Sequence, residues 1–511
     1  MTSAAVRPSV LLDGLEDVRE THISWVFITR DRAYKLKKPV VLPFLDYGTA
    51  ARRREMCRAE LELNRRLARR IYLGVRSLVP AGGGLRLADE DDPAGVDYAV
   101  EMRRYAESDT LAARVAEGTA GPDDLAAVGA RLAAFHAAAQ AEARDDGAET
   151  AKRALDDNFA TLHRLVEDRT GRAAIARAER SAGAFVSTIW DGLDARAAAG
   201  LVRDGHGDLR LEHVLLGEEV EVVDCVEFDP GLRRIDVAAD LAFLVMELHA
   251  VARTDLAEVL VQSYRAAGGD PGSDALLAFF AAYRAEVRAK VALMRAGQLP
   301  AGAREEQERA HAHAHALLGL ARRLRWAAHT PLVVVLAGVS ASGKSTVATA
   351  LAAASGFSYV NSDVVRKRRA GLSPTDRAPQ RVYDDAISRT TYTELGHFAA
   401  AHAAKGVIVD ATFRRRVDRD AFREAVGTGI AVLFVECRAP AAVLEARART
   451  RAEQPRRVSD ADVEIVRRQL ACAEPFDEIG AGEHVIIRSD QPIAAVLAAI
   501  GDAVDASAPR A

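Results

Sequence analysis

Cysteine is scarce in this chain. Cys57, Cys225, Cys437 and Cys472 are the only four in 511 residues, and no two of them form a CxxC pair. That spacing argues against a zinc site or a disulfide framework and fits a reducing cytosol. Long apolar runs are also missing: no stretch approaches the ~20 residues needed to cross a bilayer. The opening "MTSAAVRPSVLLDGLEDVRE" has no basic start followed by an apolar core, so no signal peptide is expected. Charge of one sign is not in excess. The formal net charge is −4, and no global basic field draws the chain to nucleic acid or membrane. Basic stretches such as "RKRRAG" hold few aromatics that could stack bases, so they read as phosphate-binding or solvated surface. No repeat of fixed period occurs. In "RAHAHAHALLG" the i, i+2 spacing of His311, His313 and His315 scatters side chains around a helix, unlike the i, i+4 spacing of a metal pair.

The 49% hydrophobic and 28% charged content is that of a globular protein, and the length predicts two or three domains. Residues 21–45 read as paired strands, 50–70 as a charged helix, and 109–200 as mostly helical. Acids and histidines punctuate "GLVRDGHGDLRLEHVLLGEEVEVVDCVEFDP", and helices resume from 236 to about 325. A Gly/Pro break, a charged helix and Pro331 place the boundary near 325–331. Beyond it, strand candidates at 332–337, 357–361, 406–410, 431–436 and 484–488 alternate with helical patterns. Such alternation implies βαβ units around a parallel sheet. The expected domains are 1–328 and 329–511.

The segment "GVSASGKS", Gly338 to Ser345, matches GxxxxGK[ST] between a strand and a helix. Gly338, Val339, Ser340, Ala341, Ser342 and Gly343 would wrap backbone N–H groups around phosphate oxygens, and Thr346 continues the turn into the helix. The helix points its positive end at the same anion. Lys344 can reach the β and γ phosphates of ATP, and Ser345 can ligate Mg2+. "YVNSDVVRK" puts Asp363 and Arg366 at the ligand-binding edge of an open sheet. They read either as a proton-accepting carboxylate with an anion-steadying arginine, or as a helix cap (Ser362 or Asp363) with a solvated Arg366. Asp410, ending "GVIVD", is either a Mg2+ acid or a capping residue. In "LEARARTRAEQPRR", Arg447 and Arg451 share one helix face, with Arg449, Arg456 and Arg457 nearby. They form either a basic segment closing over phosphates or a solvated helix.

On these residues, 332 to about 490 resembles the small P-loop kinases of the gluconate kinase, polynucleotide kinase and zeta-toxin type. The resemblance implies Asp363 as base of a DxxR pattern and Arg447 and Arg451 as lid arginines.

Upstream, "DGHGDLRLEHVLL" and "VEVVDCVEFD" hold Asp208, Asp224, Glu227 and Asp229, which alone read as turn acids or as a base with a metal ligand. With "RAYKL", "CRAELELNRRL" and "DYAVEMRRY", residues 20–290 resemble the aminoglycoside phosphotransferase-like branch of the protein-kinase fold. That family carries HGDxxxxN and then an acid. The resemblance implies Asp208 as base, Asp224 as main metal ligand with Glu227 competing, and Lys35 (Lys37 close by) as nucleotide lysine. Glu60 would be its ion-pair partner, with Glu62 second, and Val100 to Met102 the hinge. His213 stands where the family has Asn. It offers nitrogen where Mg2+ favours oxygen, so the domain reads as an active kinase or as a ligand-binding pseudokinase. No GxGxxG loop precedes Lys35.

The two modules together resemble the bacterial type described as bifunctional aminoglycoside phosphotransferase/ATP-binding protein. The expectation is therefore an N-terminal α+β protein-kinase-like fold and a C-terminal α/β P-loop kinase. It would be a cytoplasmic phosphotransferase using ATP and Mg2+ on the alcohol group of a small-molecule acceptor, with neither nucleic acid nor membrane as partner. The alternative is a nucleotide-sensing regulatory ATPase with an N-terminal pseudokinase. The acceptor and the oligomeric state are not legible.

Overall fold

In a computed structural model, which describes residues 8–42, 45–142, 146–300, 302–376, 379, 384–452 and 461–507, the chain divides into two units. The first joins Met1–Gly147 with Leu193–Ser273, and the second joins Ala148–Gly192 with Asp274–Ala511.

The first unit is built on a seven-stranded sheet of order β1-β8-β7-β9-β4-β3-β2. Its strands are β1 (Val10–Leu11), β2 (Leu15–Glu20), β3 (Ser24–Thr29), β4 (Arg32–Lys37), β7 (Tyr72–Ala81), β8 (Gly84–Asp89) and β9 (Asp97–Arg103). The short β5 (Val41–Leu42) and β6 (Leu45–Asp46) pair separately. Alternation in "SWVFIT" and "AYKLK" lets β3 and β4 pair antiparallel, Val26 opposite Lys35, and β4 then pairs with β9. Helix α1 (Ala50–Asn64) begins at a Thr49 cap and buries Arg53, Cys57, Glu60 and Asn64, one face at helical spacing. Cys57 joins Tyr72, Val75, Val100 and Met102 in the core against the sheet. The rest of the unit is helical, with two further short antiparallel pairs among the described residues. Its helices are α2 (Leu111–Ala116), α3 (Pro122–Ala138), α6 (Trp190–Ala198, crossing the unit boundary), α7 (Pro230–Arg233), α8 (Val237–Ala250) and α9 (Thr254–Ala266). Strand β10 (Val202–Asp204) pairs with β13 (Arg234–Asp236), and β11 (Val214–Leu216) pairs with β12 (Val220–Val222).

The second unit carries a five-stranded, all-parallel sheet, as the alternating pattern predicts. Its order is β15-β16-β14-β17-β18, with β14 (Leu332–Ala337) central, then β15 (Ser358–Asn361), β16 (Val407–Asp410), β17 (Ala431–Arg438) and β18 (His484–Arg488). Every residue of β14 is buried, as a strand covered on both faces requires. One face packs Val334, Leu336, Leu351 and Ile500, the other Val335, Phe413, Phe422 and Phe434. The covering helices are α12 (Lys344–Ser355), α13 (Ser362–Arg369), α14 (Asp385–His402), α15 (Arg416–Val426), α16 (Ala441–Ala452), α17 (Val463–Ala471) and α18 (Ile493–Ser507).

The units do not divide at 328/329. Helices α4 (Gly147–Leu165, starting at the unit boundary), α5 (Arg169–Thr188), α10 (Asp274–Gln298) and α11 (Arg304–Ala327) group with the parallel sheet instead. The physical reason lies in their packing. Phe185 of α5 stacks on Phe279 of α10 with centroids 4.7 Å apart, and Ser181 bonds Asp505 of α18 at 2.9 Å. The Arg325 guanidinium pairs with buried Glu286 at 2.6 Å. Among the described residues no helix is long and apolar enough to cross a membrane.

Candidate active sites

In the first unit, the two-residue period of β4 turns Lys35 and Lys37 to one side of the sheet. Glu60, on the buried face of α1, meets both. Its Oε1 lies 2.8 Å from Lys35 Nζ and its Oε2 lies 2.7 Å from Lys37 Nζ. Lys35 also reaches Asp224 Oδ1 at 2.5 Å. Lys37 donates to Glu227, which accepts a further bond from Tyr47 at 2.6 Å. A buried charge persists only when paired and hydrogen-bonded, and here two ammonium groups answer three carboxylates. Burial works against the Lys35 and Lys37 ammoniums, but Asp224 (for Lys35), Glu227 (for Lys37) and Glu60 (for both) hold them charged, well above the ordinary lysine value. Desolvation pushes the Asp224 carboxyl up, yet the Lys35 ammonium overrides it and leaves it well below the usual range. Asp224 also adopts φ 65°, a left-handed conformation rare for aspartate, with its N–H on the Tyr72 hydroxyl at 3.2 Å. Such backbone is kept only where its surroundings enforce it.

The HGD turn is held from beneath by Asp240 of α8, which accepts the N–H groups of His206 (2.7 Å) and Gly207 (2.9 Å). Gly207 has φ 85°, and a Cβ there would come within 2.9 Å of the Leu232 carbonyl. His213 sits between the two candidate acids. Its Nδ1 donates to the Asp208 carbonyl at 2.9 Å, and its Nε2 lies 3.7 Å from Asp224 Oδ2. Asp208, His213 and Asp224 are thus brought to one place. Glu227 is not an open donor there: its carboxylate is buried and committed to Lys37 and Tyr47. Asp229 caps α7. Val100 to Met102 lie in β9, where Val100 pairs opposite Lys35. Among the described residues no group of three or more His, Cys, Asp and Glu side chains could hold a metal ion.

In the second unit, β14 ends at the glycine loop and α12 begins on Lys344. Gly338 (φ 132°), Ala341 (φ 64°) and Gly343 (φ 89°) fold the loop back on itself. A Cβ on Gly338 would stand 2.7 Å from the Cys437 carbonyl, so only glycine fits. Val339 and Ala341 pack with Leu444, Ala448 and Val466, which pins the loop to α16 and α17. The Ser340 N–H donates to Gln469 Oε1 at 2.7 Å. Ser342 Oγ is buried without a hydrogen-bond partner among the described residues. Lys344 Nζ rests on the Val339 carbonyl at 2.9 Å, and burial pulls its ammonium below the ordinary lysine value. These features fit an anion: an orphaned buried hydroxyl and a desolvated ammonium both gain from one.

Ser345 donates to Asp410 Oδ2 at 2.6 Å, and Asp410 is not a capping residue, since the next helix, α15, begins after Arg415. Tyr359 (3.0 Å) and the Asn361 amide (2.8 Å) donate to the same oxygen. The Ser345 hydroxyl and Asp410 carboxylate are oxygen donors of the kind a hard cation takes. Asp363 and Arg366 pair at 3.1 Å on α13, and the cap of that helix is Asn361, neither Ser362 nor Asp363. Arg366 is buried, against the solvated alternative. Burial pushes the Asp363 carboxyl up, and Arg366 opposes that. Arg447 donates to the Ser489 carbonyl at 2.9 Å. With Arg451, Gly343, Thr346 and Gln491 it lines a cleft of about 550 Å3. Arg449 turns away to Glu445 at 3.0 Å. Arg456 and Arg457 lie outside the described residues. Tyr359, Asn361 and Gln469 were not singled out in the sequence. The one available signal was an amide two positions before an acid at a strand end.

A glycine loop between strand and helix, on the central strand of a parallel sheet, defines a P-loop nucleotide-binding domain. Residues 333–476 match the family described as "AAA domain". Over 357 residues the chain is 34% identical to the uncharacterized protein Rv2004c of Mycobacterium tuberculosis, covering 69% of this chain and 68% of the relative. A Mycobacterium bovis protein, also uncharacterized, matches to the same extent. The chain belongs to the family of these mycobacterial proteins. Among solved structures, a gluconokinase from Sinorhizobium meliloti is 26% identical and covers 34% of this chain and 91% of its own, with TM-score 0.26. A choline/ethanolamine kinase family protein from Mesorhizobium loti is 15% identical and covers 60% and 92%, with TM-score 0.34.

Proposed function

We propose that the chain is an ATP- and Mg2+-dependent phosphotransferase whose chemistry lies in the P-loop unit and whose acceptor is an alcohol group of a small molecule. The observation that carries this reading is the placement of the Ser345–Asp410 pair (2.6 Å) beside Lys344, with Asp363 and Arg366 beginning the helix after the neighbouring strand. By donating its proton to Asp410, Ser345 turns its lone pairs outward for a cation. Bound Mg2+ would neutralise phosphate charge. The loop N–H groups and Lys344 hold the phosphates, and the cleft lined by Arg447 and Gln491 takes the nucleoside end. Asp363 accepts the proton of the acceptor hydroxyl, a role its raised carboxyl value favours, while Arg366 steadies anionic charge. Arg451, from α16, adds charge over the phosphates. The setting proposed with it is cytoplasmic, with a small-molecule acceptor and neither nucleic acid nor membrane as partner.

A second reading concerns the first unit alone. Lys35 and Asp224 already bond each other at 2.5 Å, and His213 spans the gap between Asp208 and Asp224. These contacts support ligand sensing without chemistry, with the P-loop hydrolysing ATP to change state. The test is ADP release on a panel of sugars, aminosugars, aminoglycosides, nucleosides and nucleotide sugars. Wild type is compared with Asp208→Asn, Asp363→Asn and Lys344→Ala. An acceptor-stimulated rate lost in Lys344→Ala and Asp363→Asn but kept in Asp208→Asn supports the proposal. Loss in Asp208→Asn alone moves the chemistry to the first unit, and hydrolysis that yields no phosphorylated product on any acceptor supports the sensor.

A further inference from the structure

The Asn361 amide uses both of its ends, in opposite directions. Its Oδ1 accepts the N–H groups of Asp363 (2.9 Å) and Val364 (3.3 Å), which caps the helix carrying Asp363 and Arg366. Its Nδ2 donates to Asp410 Oδ2 at 2.8 Å and lies 3.4 Å from the Tyr359 hydroxyl. Asp410 Oδ2 also takes the Ser345 hydroxyl, so three donors converge on one oxygen of the carboxylate. Asn361 stands at the end of β15, opposite Asp410 in the parallel register of β15 and β16. The alignment follows from strand pairing and is not an accident of rotamer choice. Serine, threonine or aspartate would cap α13 equally well. Of the usual caps only asparagine also carries an N–H donor, and the donor is what reaches Asp410.

We infer that Asn361 is a positioning residue that fixes the Asp410 carboxylate for its cation and ties it to the helix that presents Asp363. The inference rests on the phosphotransferase reading and deepens it. With its Oδ2 bound by Ser345, Tyr359 and Asn361, Asp410 cannot rotate. Ser345 therefore keeps its proton directed at Asp410, which would leave its lone pairs to a bound cation. Any displacement of the carboxylate is transmitted through one rigid amide to the first turn of α13, and so to Asp363. A hydrogen-bond partner that orients a metal-binding carboxylate is worth about 10- to 100-fold in metal affinity.

The test uses the full chain with ATPγS, measured calorimetrically with Mg2+ and with chelator in its place. In wild type, Mg2+ strengthens nucleotide binding by a ratio that serves as the readout. Asn361→Ser keeps the cap and removes the amide N–H that reaches Asp410, so the chelator affinity and the melting temperature stay at wild type while the Mg2+ ratio falls about tenfold or more. Asn361→Asp keeps size and cap but turns an oxygen on Asp410, and its ratio falls at least as far. Asn361→Ala loses both functions, and its melting temperature falls as well. A purely structural role would lower the melting temperature without separating the two affinities. Wild-type Mg2+ ratios in both Asn361→Ser and Asn361→Asp would overturn the inference and leave the phosphotransferase reading standing. Failure of wild type to bind ATPγS under either condition would overturn both.

Discussion

Lowering the pH from 7 to 5 should loosen the first unit through a single imidazole. His206 is fully buried beneath the HGD turn. Its Nε2–H donates to the Val223 carbonyl at 3.0 Å, and its Nδ1 accepts the Asp208 N–H at 3.3 Å. A proton on Nδ1 would face another N–H in a fully buried site. Burial accordingly lowers the imidazole from its ordinary 6.5 to about 4. The unfolded chain takes up the proton below pH 6.5 and the folded one does not, so stability is complete above 6.5 and falls as the pH drops toward 4. At pH 5 the loss relative to pH 7 is about 2 kcal/mol. Asp240, held down to about 2, and Asp224, lower still, remain ionised in this window, and their contributions are lost only at more acid pH. The assay is urea unfolding followed by Trp25 fluorescence in a Trp190→Phe/Trp326→Phe background, since those two tryptophans belong to the second unit. The midpoint should move by roughly 1 M urea between pH 7 and 5. His206→Gln should cut that movement to a small remainder. An equal movement in His206→Gln would refute the assignment.

Three further outcomes are expected. Gly338→Ala forces a Cβ against the Cys437 carbonyl at φ 132°, so the second unit should lose roughly 2–4 kcal/mol, seen as a lower melting temperature that ATP no longer raises. Lys37→Met leaves the buried Glu227 carboxylate without its cation. The first unit should lose about 3–5 kcal/mol in the Trp25 urea assay, and an unchanged midpoint would mean the Lys37 network is slack. Gln469→Ala strips the Ser340 N–H of its acceptor at a cost of about 1 kcal/mol to the second unit. Gln469→Glu restores an acceptor but sets a negative charge beside the loop, so isothermal calorimetry should show ATP affinity falling about tenfold.

The parallel sheet was legible because apolar runs and intervening helical patterns repeat a signal that depends only on neighbours along the chain. The phosphate loop was legible for a similar reason: backbone geometry demands glycine at two fixed places. An ordered set of short motifs points to Lys35, Glu60, Asp208 and Asp224, and the fold brings Lys35 to both Glu60 and Asp224. Nothing in "RAYKLKK" says that a second ammonium, that of Lys37, will be buried with its own carboxylate. Asn361 and Gln469 escaped because an amide has no spacing rule of its own, and its worth depends on partners 49 and 129 residues away. The grouping of α4, α5, α10 and α11 was hidden for a related reason. An Ala- and Leu-rich stripe declares that a helix has a buried face but not which surface covers it.

The interlacing of the two units has a consequence for how the chain is made. Helices α4 and α5 leave the ribosome before the last third of the first unit, yet buried Phe159 and Phe185 meet Arg325 and Phe279, in segments that begin only at Asp274. At ~5–20 residues per second, Phe185 waits on the order of five to twenty seconds for Phe279. Asp505, the partner of Ser181, arrives last of all. A nascent chain halted near residue 328 therefore holds a complete first unit and four helices whose sheet has not yet been synthesised. The second unit cannot close until translation is nearly finished.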